Sequence, residues 1–130
     1  MAKIMIVDDS PDIAWVFSKL LNKAGYTTIS ASSGEEALEI LRTEKPDLML
    51  LDIMMPGMDG WDVAKKIKED EKTRDVIVIM VSVKSDEEDI KKSMEYSHAD
   101  GHVDKLRSAG IVDEVAKLLK EKATGPYEIF

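Results

Sequence analysis

The chain contains no cysteine among its 130 residues, which excludes disulfide bonds and thiolate chemistry. It has only two histidines, His98 and His102, so a zinc site would have to be completed by carboxylates, which is a poor ligand set. Positive charge is scarce, because 18 Lys and Arg face 26 Asp and Glu and the net charge is -8. Nucleic-acid binding needs a basic footprint. We therefore expect no nucleic-acid partner, and favour basic protein surfaces or divalent cations.

Long hydrophobic runs are also missing. No stretch approaches the ~20 apolar residues that span a bilayer, and the N-terminus lacks the hydrophobic region of a signal peptide. We therefore expect a cytoplasmic protein without membrane contact. No internal repeat or linker interrupts the chain, and its length is close to the commonest domain size. The prediction is one domain over residues 1–123 and a detached C-terminal tail over residues 124–130.

The sequence instead shows a regular alternation of strand-like and helix-like segments. Apolar and β-branched runs predict strands at residues 3–7, 27–31, 47–51, 76–81 and 99–103. Helical spacing and capping residues predict helices between them, with Ser10, Ser33 and Ser85 as N-terminal caps. The third predicted helix covers residues 60–70, and the last is marked by apolar residues from 111 to 119. Such alternation is typical of an α/β fold with a parallel sheet and helices on both faces.

Chemically active side chains fall at the ends of the predicted strands. Asp8 and Asp9 follow the first strand, Asp52 follows the third, Ser82 follows the fourth, and Lys105 comes shortly after the fifth. Because the carboxyl ends of parallel strands share one edge of the sheet, we expect these side chains to converge. Asp52 is central, since it closes an apolar run and a carboxylate is costly to leave unpaired in a partly dry site.

These motifs resemble the receiver domain of two-component response regulators. The resemblance covers about residues 3–122 and rests on Val-Asp-Asp at 7–9, Leu-Asp-Ile-Met-Met-Pro-Gly-Met-Asp-Gly at 51–60, Val-Ser at 81–82, and Ala-Asp-Gly at 99–101 leading to Lys105. It implies a flavodoxin-like (βα)5 fold with strand order 2-1-3-4-5. It also implies a stand-alone signalling protein that accepts a phosphoryl group and acts by changing its protein–protein contacts.

By this resemblance, Asp52 is the phosphoacceptor of a Mg²⁺-dependent reaction. The metal ligands would be Asp9, Asp52 and the backbone carbonyl of Met54, with Asp8 acting through water and Mn²⁺ as an alternative ion. The chemistry agrees, because three carboxylates in one pocket repel each other and require a cation, and an oxygen-only site with few protein ligands suits Mg²⁺. Phosphoryl transfer depends mostly on positioning and charge neutralisation, so the Asp52 carboxylate would need no general base.

The resemblance also assigns contacts, switch residues and partners. Ser82 and Lys105 would contact the phosphoryl oxygens, and Ser82 and His102 would form the switch. The phosphodonor would be a sensor histidine kinase or a histidine phosphotransfer protein, and the downstream partner an unidentified protein. The chain would be a monomer or a phosphorylation-dependent dimer. Its chemistry would be limited to its own phosphorylation and dephosphorylation, so it would not be an enzyme acting on other substrates.

Four positions depart from the usual receiver pattern. Val83 replaces a small residue and would narrow access to the phosphoacceptor. His102 replaces the switch aromatic, and either a switch role or an ordinary solvated histidine fits the sequence. Leu106 replaces a proline whose peptide bond is usually cis; a cis bond before leucine would cost ~2.5–4 kcal/mol, so a trans bond is expected and would re-aim the preceding lysine. His98 replaces a common glycine. The atypical part is therefore the face built from the fourth helix, fifth strand and fifth helix.

The two tryptophans have simpler interpretations. Trp15 lies off the apolar stripe of the first helix. It is therefore either partly exposed near the site or packed at the helix edge. Trp61 is expected to anchor the third helix.

Two alternative functions remain open from the sequence. A pseudo-receiver would use the same fold as a constitutive protein-binding module, which the changes at Val83, His102 and Leu106 favour. A small Mg²⁺-dependent phosphohydrolase with an aspartyl intermediate would also need such an acidic site. Hydrolases of that kind place the nucleophile after the first strand in an Asp-x-Asp pattern and carry a cap, whereas this chain has adjacent aspartates and no room for a cap.

Overall fold

The computed structural model describes residues 2–83 and 86–124. Five parallel strands form one sheet in the order 2-1-3-4-5, which confirms the predicted fold class. The strands are β1 (Lys3–Val7), β2 (Thr27–Ala31), β3 (Leu48–Asp52), β4 (Ile77–Ser82) and β5 (Gly101–Asp104).

Five α-helices connect and flank the strands. They are α1 (Pro11–Lys23), α2 (Gly34–Ile40), α3 (Gly60–Glu69), α4 (Glu87–Lys91) and α5 (Ser108–Thr124). A five-residue π-helical turn, Lys92–Tyr96, continues α4, and we call it the π-turn. No helix in the described part of the chain is long and apolar enough to cross a membrane.

The N-terminal caps follow the sequence prediction where the structure describes them. The hydroxyls of Ser10 and Ser33 each accept a hydrogen bond from a backbone N–H three residues later. Helix α4 begins instead after Asp86, whose Oδ1 accepts from the Asp89 N–H at 2.9 Å. The predicted cap Ser85 lies outside the described residues, as do residues 125–130 of the predicted tail.

Three strands end later than the sequence predicted, and the shift matters for the site. Strand β3 ends at Asp52 rather than at residue 51, β4 ends at Ser82 rather than at 81, and β5, which begins at Gly101 rather than at 99, ends at Asp104 rather than at 103. The cause is inter-strand pairing, because Asp52 pairs with Val81 and Ser82 pairs with Asp104 in the parallel register. Asp52 and Ser82 are therefore held by the ladder itself, which gives them a rigid backbone.

Both faces of the central strands are buried. Alternate residues point to opposite sides, which is the period of a pleated strand. One side, packed with residues of α2 and α3, includes Met5, Val7, Met49, Leu51, Val78 and Met80. The other side, packed with residues of α1 and α5, includes Ile4, Ile6, Leu48, Leu50, Ile79 and Val81. Polar chemistry is thereby confined to the ends of these strands, in agreement with the continuously apolar runs of the sequence.

The connection from the π-turn to β5 contains an unusual backbone conformation. His98 has a φ of +56°, in the left-handed region that favours glycine. This is the position where the receiver pattern has a glycine, so the chain keeps the glycine conformation without the glycine. No peptide bond among the described residues is cis, which agrees with the trans bond expected before Leu106.

Candidate functional site

The carboxyl edge of the sheet holds a lysine between two buried carboxylates. Lys105 Nζ lies 2.8 Å from Asp8 Oδ2 and 3.3 Å from Asp52 Oδ2. Asp8 is 3% exposed and Asp52 is 5% exposed, so neither carboxylate is freely hydrated. Leu106, which stands where proline is usual, does not turn Lys105 away from the site. The sequence placed these three side chains at one edge, and the structure brings them into direct contact.

A third carboxylate completes a cluster that fits a metal ion. One carboxylate oxygen from each of Asp8, Asp9 and Asp52 lies within 4.8 Å of the other two. Three carboxylates against one ammonium leave an excess of negative charge, and the donors are hard oxygen atoms. This donor set suits Mg²⁺, which prefers carboxylates and keeps several waters. Asp9 is exposed, so the cluster opens to solvent on its side.

The electrostatics of the site act most strongly on Asp52. Its pKa is raised from 3.8 to about 6, mainly because burial disfavours the charged carboxylate and secondly because Asp8 lies close by. The charge and hydrogen bond of Lys105 and a hydrogen bond from the Met54 N–H act in the opposite direction. Burial lowers the pKa of Lys105, but its hydrogen bond to Asp8 and the charges of Asp52 and Asp8 outweigh that effect and raise it. Lys105 therefore stays a cation.

Local hydrogen bonds fix the first carboxylate. Asp8 Oδ1 accepts from the Ser10 N–H at 2.8 Å, and the Asp8 N–H donates to the Ala31 carbonyl at 3.1 Å. The first bond uses one carboxylate oxygen at the start of α1 and leaves Oδ2 for Lys105. Asp8 is thus oriented by the backbone on one side and by the lysine on the other.

The loop after Asp52 is positioned by contacts that the sequence analysis did not identify. The Gly60 N–H donates to the Ile53 carbonyl at 2.8 Å, and a Cβ at Gly60 would lie only 2.2 Å from the Asp52 carbonyl oxygen. Glu35 Oε1 accepts from the Met58 N–H at 3.1 Å. The glycine at the start of α3, facing a strand end, was a usable signal of close backbone approach. Nothing in the sequence points to Glu35, because the contact joins distant segments.

Ser82 occupies the neighbouring strand end. It is 1% exposed and follows Val81, the residue that pairs with Asp52. The next residue, Val83, is 56% exposed and stands at the rim of the site. Met54 is also at the rim, with 53% of its surface exposed. The narrowing of access by Val83, the role of Ser82 and the use of the Met54 carbonyl stay predictions.

His102 belongs to a hydrogen-bonded chain rather than to open solvent. Its Nδ1 lies 2.8 Å from Ser93 Oγ, and the same oxygen accepts from Trp61 Nε1 at 3.0 Å. Ser97 Oγ donates to the Trp61 carbonyl at 2.9 Å. Trp61 packs against the core as predicted, and it also ties α3 to the π-turn. The sequence indicated neither serine.

The first tryptophan lies beside the acidic cluster. Trp15 is 63% exposed, so of the two interpretations left open by the sequence the exposed side chain near the site is the one observed, and packing at the helix edge is wrong. A cavity of about 400 Å³ adjoins the cluster and is lined in part by Asp8, Asp9, Trp15 and Glu36.

Comparisons with known proteins agree with this geometry. Residues 4–120 match the family model described as the response regulator receiver domain. The chain is similar to protein PilH of Pseudomonas aeruginosa, with 38% identity over 89 residues, covering 68% of this chain and 74% of PilH. It is also similar to sporulation initiation phosphotransferase F of Bacillus subtilis, with 46% identity over 77 residues, covering 58% of this chain and 62% of that protein.

The backbone shows the same relationship. The chemotaxis protein CheY4 of Vibrio cholerae has a similar structure, with a TM-score of 0.83 and 26% identity, covering 90% of this chain and 98% of that chain. The match spans 32% and 48% of the length of two transcriptional regulators that the chain also resembles. The matched family region contains every candidate site residue from Asp8 to Lys105.

Proposed function

We propose, from the premise that this chain belongs to the response regulator receiver domain family, that its Asp52 accepts a phosphoryl group and that the modified protein signals through changed protein contacts. Receiver domains of this family interact with histidine kinases or phosphotransfer proteins, and one of these is the proposed donor. The observation that carries the proposal is the position of Lys105 Nζ, 2.8 Å from Asp8 and 3.3 Å from Asp52, beside a third carboxylate. This arrangement combines a nucleophile, a fixed cation and a metal-binding donor set.

The transfer step follows from these groups. A carboxylate oxygen of Asp52 forms a bond to phosphorus while the nitrogen–phosphorus bond of a phosphohistidine breaks, and the released imidazole takes a proton from solvent. With acetyl phosphate the oxygen–phosphorus bond breaks and acetate leaves. Asp52 must be ionised to attack, and a carboxylate is a sufficient nucleophile without a general base. Lys105 contacts the phosphoryl oxygens and balances part of their charge, and the Ser82 hydroxyl donates to another.

The acidic cluster supports a divalent cation in the same reaction. Asp9, Asp52 and the Met54 carbonyl would hold Mg²⁺, with Asp8 acting through water, and the ion would supply charge neutralisation for the phosphoryl group. The hard oxygen donors and the excess of negative charge in the cluster fit this ion. Mn²⁺ takes the same kinds of ligand.

Signalling depends on what the phosphoryl group does to its neighbours. The hydrogen bond from Ser82 draws the end of β4 toward the phosphoryl oxygens and opens room for His102 to move from its present position. Ser82 ends β4 and His102 lies in the adjacent strand β5, so their movement biases the α4–β5–α5 face between two arrangements. Hydrolysis of the acyl phosphate returns the protein to its starting state. In this account the chain takes a phosphoryl group from its donor and transfers it to no molecule other than water.

A pseudo-receiver is the second candidate. The residues that favour it are Val83, His102 and Leu106, which depart from the receiver pattern. In that case the fold would present a constant binding surface and Asp52 would stay unmodified. The contact of Lys105 with both carboxylates speaks for the phosphoacceptor, because a binding module has no need of it.

Intact-mass spectrometry after incubation with acetyl phosphate separates the two candidates. The phosphoacceptor predicts a gain of one phosphoryl group that requires Mg²⁺ and is removed by a chelator. The matched variant Asp52→Asn has the same shape and should gain nothing. An unmodified wild-type protein under these conditions would support the pseudo-receiver.

A further inference from the structure

The segment of α4 and the π-turn has its apolar and polar side chains in unexpected places. Its buried side chain is Ser93, and Ser97, directly after the π-turn, is buried as well; both serines are 0% exposed. Ile90, Met94 and Tyr96 on the same segment are 40%, 41% and 39% exposed. The segment is therefore held to the body of the protein by hydrogen bonds more than by apolar burial. Such segments are the ones that open or shift at low cost.

Ser93 joins the segment to two other elements. Its Oγ accepts from Trp61 Nε1 at 3.0 Å, because an indole N–H can only donate. Its Oγ also lies 2.8 Å from His102 Nδ1. When the ring proton of His102 lies on Nε2, Nδ1 is an acceptor and can receive the Ser93 hydroxyl hydrogen, since the Ser93 oxygen already accepts from Trp61.

Ser97 is a near twin of Ser93 that does not reach the histidine. Its Oγ donates to the Trp61 carbonyl at 2.9 Å. The π-turn brings both serines to Trp61, because the Ser97 N–H donates to the Lys92 carbonyl, five residues back, at 3.2 Å. The two serines thus share burial and the Trp61 partner, one within the π-turn and the other directly after it, and they differ in the contact with His102.

We propose that Ser93 is a positioning residue whose hydrogen bond to His102 holds the switch in its unphosphorylated arrangement. The free energy of this bond then adds to what modification of Asp52 must supply to shift the switch. This inference rests on the proposed function, since it assigns regulation of the Asp52 site. His102 cannot rotate toward the space left by Ser82 without giving up the bond from Ser93. Trp61 keeps the Ser93 hydroxyl pointed at the imidazole. The cost of rotating His102 therefore depends on the packing of Trp61 in α3.

The test titrates beryllofluoride, a phosphoryl mimic, at fixed Mg²⁺ and follows backbone amide shifts of β5 and α4 by NMR. Ser93→Ala removes a bond present only in the starting arrangement, so its half-saturating beryllofluoride concentration should fall about 2- to 10-fold, the effect of one hydrogen bond. Ser97→Ala is the matched control and should stay within about 2-fold of wild type. In a His102→Phe background, Ser93→Ala should have no further effect.

A measurement on the wild-type protein keeps the inference testable even if Ser93→Ala folds poorly. Imidazole nitrogen shifts, with His98→Gly used for assignment, should show the Nε2–H form of His102 before beryllofluoride and a changed signal after it. An Nδ1–H form at the start would overturn the inference, as would equal shifts for the two serine variants. A wild-type protein whose amide shifts do not change with beryllofluoride would overturn the proposed function and the inference with it. A wild-type response with equal serine variants overturns the inference alone.

Discussion

Lys105 Nζ lies 2.8 Å from the Asp8 carboxylate, and this contact joins the end of β5 to the end of β1 across the acidic site. The bond from Lys105 to Asp52 is longer, at 3.3 Å. Asp8 therefore keeps the lysine in place, while Asp52 makes the weaker contact with it. This difference is what the proposed function requires, because a phosphoryl group on Asp52 would have to replace the weaker contact.

Replacement of Asp52 by asparagine should stabilise the metal-free protein at neutral pH. The folded-state pKa is about 6 against 3.8 for the free group, so the folded protein binds this proton more tightly than the unfolded chain. The stability that comes from Asp52 is therefore full below its unfolded pKa and is lost as pH rises through the folded pKa. A raised pKa of this size corresponds to roughly 2–3 kcal/mol.

Urea unfolding in the presence of a chelator measures this effect. The free energy of unfolding of Asp52→Asn should exceed that of wild type by about 2 kcal/mol at about pH 7.5. This difference should shrink as pH falls toward about pH 4. Added Mg²⁺ should stabilise wild type more than the variant, since a ligand stabilises the folded form in proportion to its affinity and the variant has lost one proposed ligand. A gap that does not vary with pH would contradict the assignment.

Replacement of Gly60 by alanine should disturb the site by displacing the backbone of Asp52. A Cβ there would lie 2.2 Å from the Asp52 carbonyl oxygen and 2.8 Å from Ile53 Cα, and both are backbone atoms that cannot rotate away. We expect Gly60→Ala to cost about 1–3 kcal/mol and to slow phosphorylation by acetyl phosphate. The control is Gly110→Ala in α5, where a Cβ meets nothing within 4 Å and should stabilise the helix by about 0.5–1 kcal/mol. Thermal melts and phosphorylation rates of both variants test this prediction. A wild-type phosphorylation rate in Gly60→Ala would contradict the close approach of Gly60 to the Asp52 backbone.

Lys68 should be a stability determinant far from the site. Its Nζ donates to two backbone carbonyls of the α3–β4 connection, at 3.2 and 2.7 Å, and to Asp100 Oδ2 at 2.8 Å. The same Asp100 oxygen accepts from the Val78 N–H. Lys68→Met leaves these partners unsatisfied and should cost about 2–3 kcal/mol, whereas Lys66→Met on the exposed side of α3 should cost less than about 0.5 kcal/mol. Equal losses of unfolding free energy for the two variants in chemical denaturation would show that the three hydrogen bonds of Lys68 contribute nothing to stability.

Glycine at position 98 should stabilise the protein. His98 has a φ of +56°, which a residue with a side chain adopts at a cost. His98→Gly should raise the free energy of unfolding by about 0.5–1 kcal/mol. The reverse substitution can be made at Gly25, which has a φ of +100°. Gly25→Ala should lower the free energy of unfolding by about 1 kcal/mol. A destabilised His98→Gly variant would mean that the histidine side chain makes a contribution larger than the strain.

The sequence predicted the sheet and the meeting of the acidic residues because both depend on simple patterns. Continuous apolar and β-branched runs such as residues 76–81 are typical of strands buried on both faces, and parallel strands bring their ends together. The limits of β3 and β4 were wrong by one residue, because a carboxylate or hydroxyl at a strand end looks like a loop while inter-strand pairing includes it.

The contacts of Ser93 and Lys68 were beyond sequence reasoning for a different reason. A serine in a charged helical segment looks solvated, and a lysine near a helix end looks like a complement to the helix dipole. Their burial depends on Trp61 and Asp100, which lie 32 residues away along the chain in each case. Such pairings are set by tertiary packing and leave no local pattern.

Chemical mapping of the phosphoryl group tests the central proposal most directly. After reaction with acetyl phosphate and Mg²⁺, borohydride reduces an aspartyl phosphate to homoserine, which peptide mass spectrometry locates. The account predicts homoserine at position 52 and unchanged aspartates at positions 8 and 9. Conversion of Asp8 or Asp9, or no conversion at all, would contradict it.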